Sequence, residues 1–364
     1  MAPKTIRVSE SSIGAAEIDA VVKALESNRL SQGSTVSEFE NVLAKYARAK
    51  YATACNSGTS ALHLAMLAAG VGPGTLVIVP ALTYVATANA ATYCGAQIAV
   101  ADVLPESWCI DPSSVGTIFR RWEKSHGGGT LVAPVDLYDA LAMTTFIGDN
   151  GDELSVVLDA SHSMRVLTPA EHDIAAMTYS FFPSKLITTG EGGAVITDQL
   201  AIQDSAVLYR GQGASTPGQY IHDVVGYNYR MTEVAAAIGR AQMAKIYTFI
   251  VTRALLTARY RFNLLAYPQV TVQEGTRASG WAMAVTTPVH ASVLRQKLAK
   301  RNIETRRFFT PINQLPMYDH LRQDTPVAQR LFEHGLVLPM HVLMSTDDVD
   351  TVCEALIASL KETI

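Results

Sequence analysis

Short apolar runs without polar alternation recur along the first two hundred positions, separated by stretches with helical spacing. Residues 51–55, 76–79, 97–101, 131–135, 156–159, 175–181 and 194–197 read as strands. Runs of this kind are buried on both faces, which predicts a mainly parallel sheet with helices on either side. Residues 15–27 predict an amphipathic helix whose apolar face is Ile18, Val21, Val22 and Leu25. A second helix, from about Ser37, carries Phe39, Val42, Leu43 and Tyr46 on one side. More helices are expected over 61–69, 81–93, 199–211, 234–247 and 250–265. The pattern breaks at Tyr267-Pro268, and strand 281–286 and helices 291–300 and 347–360 follow. The expected organisation is a large domain over 1–248 and a smaller α+β domain over 249–364, with the N-terminal segment packing on the small one.

At 364 residues the chain exceeds the size at which single cores stop growing, which agrees with two lobes. Its 48% hydrophobic and 17% charged content suits a deeply buried interior. A net charge of -4 gives no electrostatic reason to expect nucleic acid or an anionic membrane as partner. The 4 cysteines, Cys55, Cys94, Cys109 and Cys353, form no CxxC pair, so neither a metal site nor a disulfide framework is expected. The run Met1-Ala2-Pro3-Lys4-Thr5-Ile6-Arg7 lacks the apolar core of a signal peptide, and a cytoplasmic location is expected.

Candidate chemistry collects at strand ends, where open α/β sheets bind ligands. Asn56-Ser57-Gly58-Thr59-Ser60 joins a strand to an apolar helix, a geometry that holds phosphate on free N–H groups or simply caps the helix with a serine. Asp159 closes a strand, as a turn cap or as a carboxylate facing a ligand. Lys185 stands between an apolar run and the glycines Gly190, Gly192 and Gly193. A lysine there either snorkels to solvent or serves as a nucleophile toward a carbonyl. If a pyridine ring lies in the cleft, Asp159 would keep its nitrogen protonated and Lys185 could hold the cofactor as a Schiff base.

These pieces, with Leu30-Ser31-Gln32-Gly33, Pro80-Ala81-Leu82-Thr83-Tyr84, Asp159-Ala160-Ser161-His162, residues 180–193, Gly226-Tyr227-Asn228-Tyr229-Arg230-Met231 and residues 304–311, come in an order and spacing that resembles one family. It is the DegT/DnrJ/EryC1/StrS family of sugar aminotransferases, of the fold-type-I, aspartate-aminotransferase-like architecture. The resemblance implies pyridoxal 5'-phosphate as cofactor, with Lys185 and Asp159 catalytic. It implies Ser57, Gly58, Thr59 and Ser180 at the phosphate, Tyr84 against the ring and His162 near the ring hydroxyl. Asn228 would reach the partner subunit's phosphate, so that a homodimer shares its active sites. Ser31, Arg306 and Arg307 are the expected substrate contacts.

The implied reaction moves an amino group from glutamate to the keto group of a nucleotide-linked 4-keto-6-deoxy sugar, and the run through Pro311 is similar to perosamine synthases. A carbocyclic ketone of the keto-inositol type and a non-catalytic cofactor-binding protein are the alternatives. The chain departs from the family where Pro-Val-His-Leu-Tyr-Gly is common, having Pro134-Val135-Asp136-Leu137-Tyr138-Asp139. It also has Asn313 where a histidine often stands, and a shortened segment over 164–176.

Overall fold

The computed structural model describes residues 5–125, 128–148, 151, 153–216, 220–275, 280–321 and 323–363, so the first four residues of the N-terminal run lie outside it. A seven-stranded sheet is built from β1 (Tyr51–Cys55), β2 (Leu76–Pro80), β3 (Gln97–Ala101), β4 (Thr130–Val132), β5 (Ser155–Asp159), β6 (Ala176–Ser180) and β7 (Gly193–Thr197). Their spatial order is β1-β7-β6-β5-β4-β2-β3. The pairs from β3 through β6 are parallel, whereas β7 runs antiparallel to both β1 and β6. Alternate residues feed two cores. Val77, Val79, Val157 and Val195 pack into one apolar cluster, while Ile78, Leu158, Ala194 and Ile196 pack into the other. The expected mainly parallel sheet with helices on both faces is what forms.

The reversal of β7 matters for the site. Its register sets Gly193 opposite Cys55 on one side and Ser180 on the other, at the edge where β5 and β6 end. Added at Gly193, a Cβ would overlap the Ser57 carbonyl and stand 2.7 Å from the Gly58 nitrogen. Gly192 is equally confined, by Thr189 and Met231. Gly193 therefore lets the lysine-bearing loop pack onto the turn after β1, and Gly192 lets that loop close on itself and on Met231.

A second, antiparallel sheet holds β8 (Thr271–Val272), β9 (Met283–Thr286), β10 (Arg306–Arg307) and β11 (Gly335–Leu338) in the order β10-β11-β9-β8. The N-terminal segment joins its core: Ile6 bridges Ile303, and Val8 accepts from the Met340 amide at 3.1 Å. Among the described residues no helix is long and apolar enough to cross a membrane.

Three local readings change. The helix expected to open at Ala81 begins at Ala86, and residues 81–84 form a bend that turns Tyr84 outward. Helix Pro112–Ser125, which buries Val115, Phe119 and Trp122, was not among the expected helices, although Val115, Ile118, Phe119 and Trp122 stand at the i, i+3, i+4, i+7 spacing of an amphipathic helix. Helix Ala15–Glu26 forms as expected, but its apolar stripe faces out, with Ile18, Val22 and Leu25 exposed. The side it turns inward carries Glu17, whose carboxylate accepts from Gln242 at 2.7 Å, caps the Gly14 amide and pairs with Lys245. A buried carboxylate that satisfies a helix start and a lysine outweighs an aliphatic stripe in choosing the inward face.

Candidate active site

Helix Gly58–Ala68 starts at Ser57, whose Oγ accepts from the Ser60 amide at 3.0 Å. The Ala61 amide bonds the Ser57 carbonyl, while among the described residues no protein group accepts from the amides of Gly58 and Thr59. Ser57 is thus an ordinary cap, and it still leaves two first-turn N–H groups available to an anion. Gly58 lies so close to the end of β6 that a Cβ would stand 2.7 Å from Ser180 Cβ and 2.9 Å from Ser180 Oγ. Without that side chain, the Ser180 hydroxyl and the two free amides border the same space.

Asp159, the last residue of β5, is buried. Its Oδ2 accepts from Thr87 Oγ1 at 2.9 Å and its Oδ1 from the Ser161 amide at 3.0 Å. Thr83 Oγ1 lies 3.2 Å from Thr87 Oγ1, so one hydroxyl and an amide fix the carboxylate and a second hydroxyl supports the first. His162 follows on the same turn, buried, its Nδ1 accepting from the Tyr138 amide at 3.3 Å. That bond assigns the ring proton to Nε2. Burial, followed by the nearby positive charge of Lys185, holds the His162 pKa well below its ordinary value, so the ring is neutral.

Lys185 sits in a turn closed by its amide on the Phe182 carbonyl at 2.9 Å. Its Nζ stands 4.3 Å from the centre of the Trp281 ring. Desolvation pushes its pKa down to about 7, helped by Arg306 and opposed by the Asp159 carboxylate. An amine with that value is substantially neutral near pH 7 and can attack a carbonyl.

A cavity of ≈ 380 Å³ joins these groups, within the range of small-ligand sites. It brings together Ser57, Gly58, Thr59, Tyr84, Asp159, His162, Ser180, Lys185 and Arg306. Tyr84 is 55% exposed and meets Phe309 edge-on at 5.6 Å. The cavity does not include Ser31, Arg307 or Asn228. Ser31 is exposed on a turn pinned to Glu233, whose carboxylate accepts from the amides of Gly33, Thr35 and Val36. Strand alternation separates the arginine pair: Arg306 faces the cavity and reaches Ser9 at 3.1 Å, while Arg307 stacks over Phe332 at 4.3 Å. Asn228 is exposed and bridges Gly211.

The motifs gave no sign of Thr87 or Trp281. Thr87 stands four residues after Thr83, and although Thr83 lies in the bend before the helix, the two hydroxyls meet at 3.2 Å. Trp281 arrives from the second sheet, its ring 4.0 Å from that of His162 at 20° and its Nε1 donating to the Ser184 carbonyl at 2.8 Å. Only the packing of the two sheets reveals it.

These residues fit pyridoxal phosphate: a helix N-terminus with unused amides, a fixed carboxylate and a lysine held near neutrality border one cavity. Comparison with known proteins points the same way. The model of the DegT/DnrJ/EryC1/StrS aminotransferase family matches residues 11–357. GDP-perosamine synthase of Escherichia coli O157:H7 is 34% identical over 97% of this chain and 98% of its own. The enzyme of that name from Caulobacter vibrioides is 32% identical over 93% and 94%. Among solved structures, the putative sugar aminotransferase Spr1654 from Streptococcus pneumoniae in its PLP form shares the fold, with a TM-score of 0.88 at 23% identity over 99% of this chain and 100% of that one.

Proposed function

The chain belongs to the DegT/DnrJ/EryC1/StrS aminotransferase family, and from that premise we propose that it transfers an amino group from glutamate to the keto group of a nucleotide-linked 4-keto-6-deoxy sugar, using pyridoxal 5'-phosphate. One observation carries the reading: a lysine held at a pKa of about 7 shares a cavity with a fixed carboxylate and a helix start that has unused amides. The likeness to GDP-perosamine synthases over nearly the whole chain supports the substrate class.

When bound, the cofactor supplies an aldehyde that takes up the amino group and a ring that accepts the electron pair released at the substrate carbon. The protein does the rest. The Gly58 and Thr59 amides and the Ser180 hydroxyl hold the phosphate by hydrogen bonds and by the helix dipole. Asp159 holds a proton on the ring nitrogen, because a buried carboxylate favours the adjacent cation. Lys185 Nζ would hold the cofactor and could carry a proton to and from the substrate carbon as a general base and acid. His162, protonated at Nε2, would offer the ring a donor only. Tyr84 and Phe309 give the cavity an apolar wall that limits water. Arg306 at the rim offers its fork to an anionic substrate group.

The active unit in this reading is a homodimer in which Asn228 serves the partner subunit's site. The exposure of Asn228 away from its own cavity supports that role, as does the outward apolar stripe of Ile18, Val22 and Leu25.

The test is spectroscopic, then chemical. The purified full chain mixed with pyridoxal phosphate should acquire the visible absorbance of a lysine-bound cofactor, and Lys185→Ala should not. Glutamate should bleach that absorbance, and a nucleotide-linked 4-keto sugar should restore it where a keto-inositol does not. Absorbance retained in Lys185→Ala would end the assignment of the lysine. Restoration by the keto-inositol alone would overturn the substrate class.

A further inference from the structure

Asp136 and Asp139 are the carboxylates at which the chain leaves the family's Pro-Val-His-Leu-Tyr-Gly run, and nothing in the proposed reaction uses them. Both are fully buried directly beneath the site. Asp136 joins the two segments that meet at His162. Its Oδ1 accepts from the Ala142 amide at 2.9 Å, closing the turn that carries Tyr138. Its Oδ2 accepts from Ser163 Oγ at 2.7 Å, on the residue after His162. Its own amide donates to the Asp159 carbonyl at 3.0 Å. Arg165 Nη1 lies 3.6 Å from Oδ1 and donates to the Ala142 carbonyl at 3.1 Å, so the negative charge has a partner.

The turn held this way is strained. Tyr138 and Asp139 have φ of +52° and +76°, the left-handed region that costs a non-glycine residue about 1 kcal/mol or more. That conformation aims the Tyr138 amide at His162 Nδ1. A second arm leads to the ring stacked on the imidazole. Burial pushes the Arg253 guanidinium down to about 10, partly offset by the Asp139 charge, and its Nη1 donates to the carbonyls of Gly280 at 3.0 Å and Trp281 at 2.9 Å. Trp281 is the ring stacked on His162.

We propose that Asp136 is a positioning residue for His162: by tying the Tyr138 turn to Ser163 it fixes the imidazole as an Nε2–H donor before any ligand arrives. A histidine free to choose its tautomer would present an acceptor to the cavity part of the time. Pre-set, it offers a donor to an oxyanion on the cofactor, and the ordering cost is met during folding. The proposal rests on the cofactor reading above, and its first readout does not depend on cofactor binding.

That readout is long-range 15N–1H correlation on the full chain labelled at histidine, with His162 assigned by its loss in His162→Gln. The unvaried protein should show protonated Nε2 and bare Nδ1, with and without pyridoxal phosphate. Asp136→Asn keeps shape but puts an NH2 in place of one carboxylate oxygen, so that either the Ala142 amide loses its acceptor or Ser163 must reverse its hydroxyl. It should mix the tautomers and raise the cofactor Kd about tenfold, as loss of a hydrogen bond to a charged group does. Ser163→Ala, a smaller change that will fold if Asp136→Asn does not, should shift the same signals partway. In a His162→Gln background, Asp136→Asn should add almost nothing to the loss of cofactor affinity. Unchanged His162 signals in both variants, or additive losses in the double variant, would overturn the proposal. Absence of cofactor binding in every protein would instead count against the cofactor reading, with the tautomer result still judging the clamp.

Discussion

At the scale of single residues, the decisive quantity is the protonation of Lys185. An ordinary lysine near pH 10.4 has less than about one part in a thousand neutral amine at pH 7, whereas Lys185 at about 7 is roughly half neutral. The rate of capture of pyridoxal phosphate should therefore rise through a pH near 7 and level off above it, measured by stopped-flow absorbance. The linkage has a definite sign. A lysine whose folded pKa lies below its unfolded value binds more protons unfolded, so stability rises with pH between about 7 and the unfolded value near 10.5. Below pH 7 the folded protein carries the full cost of a desolvated ammonium. Lys185→Met should accordingly stabilise the cofactor-free protein at pH 6, and the gain should shrink as pH approaches 10, read from urea midpoints. A gain independent of pH would show that packing, and not charge, is responsible. The identity of this lysine was legible in the sequence from its setting. The burial that lowers its pKa was not, because it is set by the walls of a cavity gathered from distant parts of the chain.

At the scale of elements, the turn after β1, proposed as the phosphate site, is held by three close contacts: Ser57 capping, Gly58 against Ser180 and Gly193 against the turn's backbone. Ser57→Ala should cost about 1 kcal/mol of stability through loss of the cap. Gly58→Ala should act differently, since its Cβ must push Ser180 aside, and Ser180 cannot yield far inside the sheet. Its expected signature is at least a tenfold loss of phosphate-bearing cofactor, about 1.4 kcal/mol, with a smaller effect on pyridoxal lacking the phosphate. Equal losses for the two ligands, measured by titration of the visible band, would remove the phosphate from this turn. The strand–turn–helix pattern was readable because burial on both faces leaves continuous apolar runs. The reversal of β7 was not, since a short apolar run carries no direction.

Across the whole molecule, a shared site makes a prediction about mixed subunits. Lys185→Ala and Asn228→Asp are each expected to be inactive, the second because a carboxylate repels phosphate. Unfolded together and reassembled at random, they should recover about a quarter of the unvaried activity, since half the dimers are mixed and each of those carries one intact site. No recovery would place Asn228 in service of its own chain or of none. The outward stripe on helix Ala15–Glu26 belongs to this scale too, because periodicity identified an apolar face and could not say which surface covers it.

By itself, the sequence determined the class of fold, the positions of Ser57, Asp159 and Lys185 at or just past strand ends, and the family that uses them. Those properties depend on neighbours close in the chain, through hydrophobic period, turn residues and motif order. Tertiary structure alone decided which partners set their chemistry: Thr87 on Asp159, Trp281 on Lys185, and the Tyr138 amide on His162. It also separated Arg306 from Arg307, two adjacent residues that strand alternation sends to different surroundings. Desolvation, stacking and hydrogen-bond direction are properties of what surrounds a side chain in space, and the chain order of these residues does not contain them.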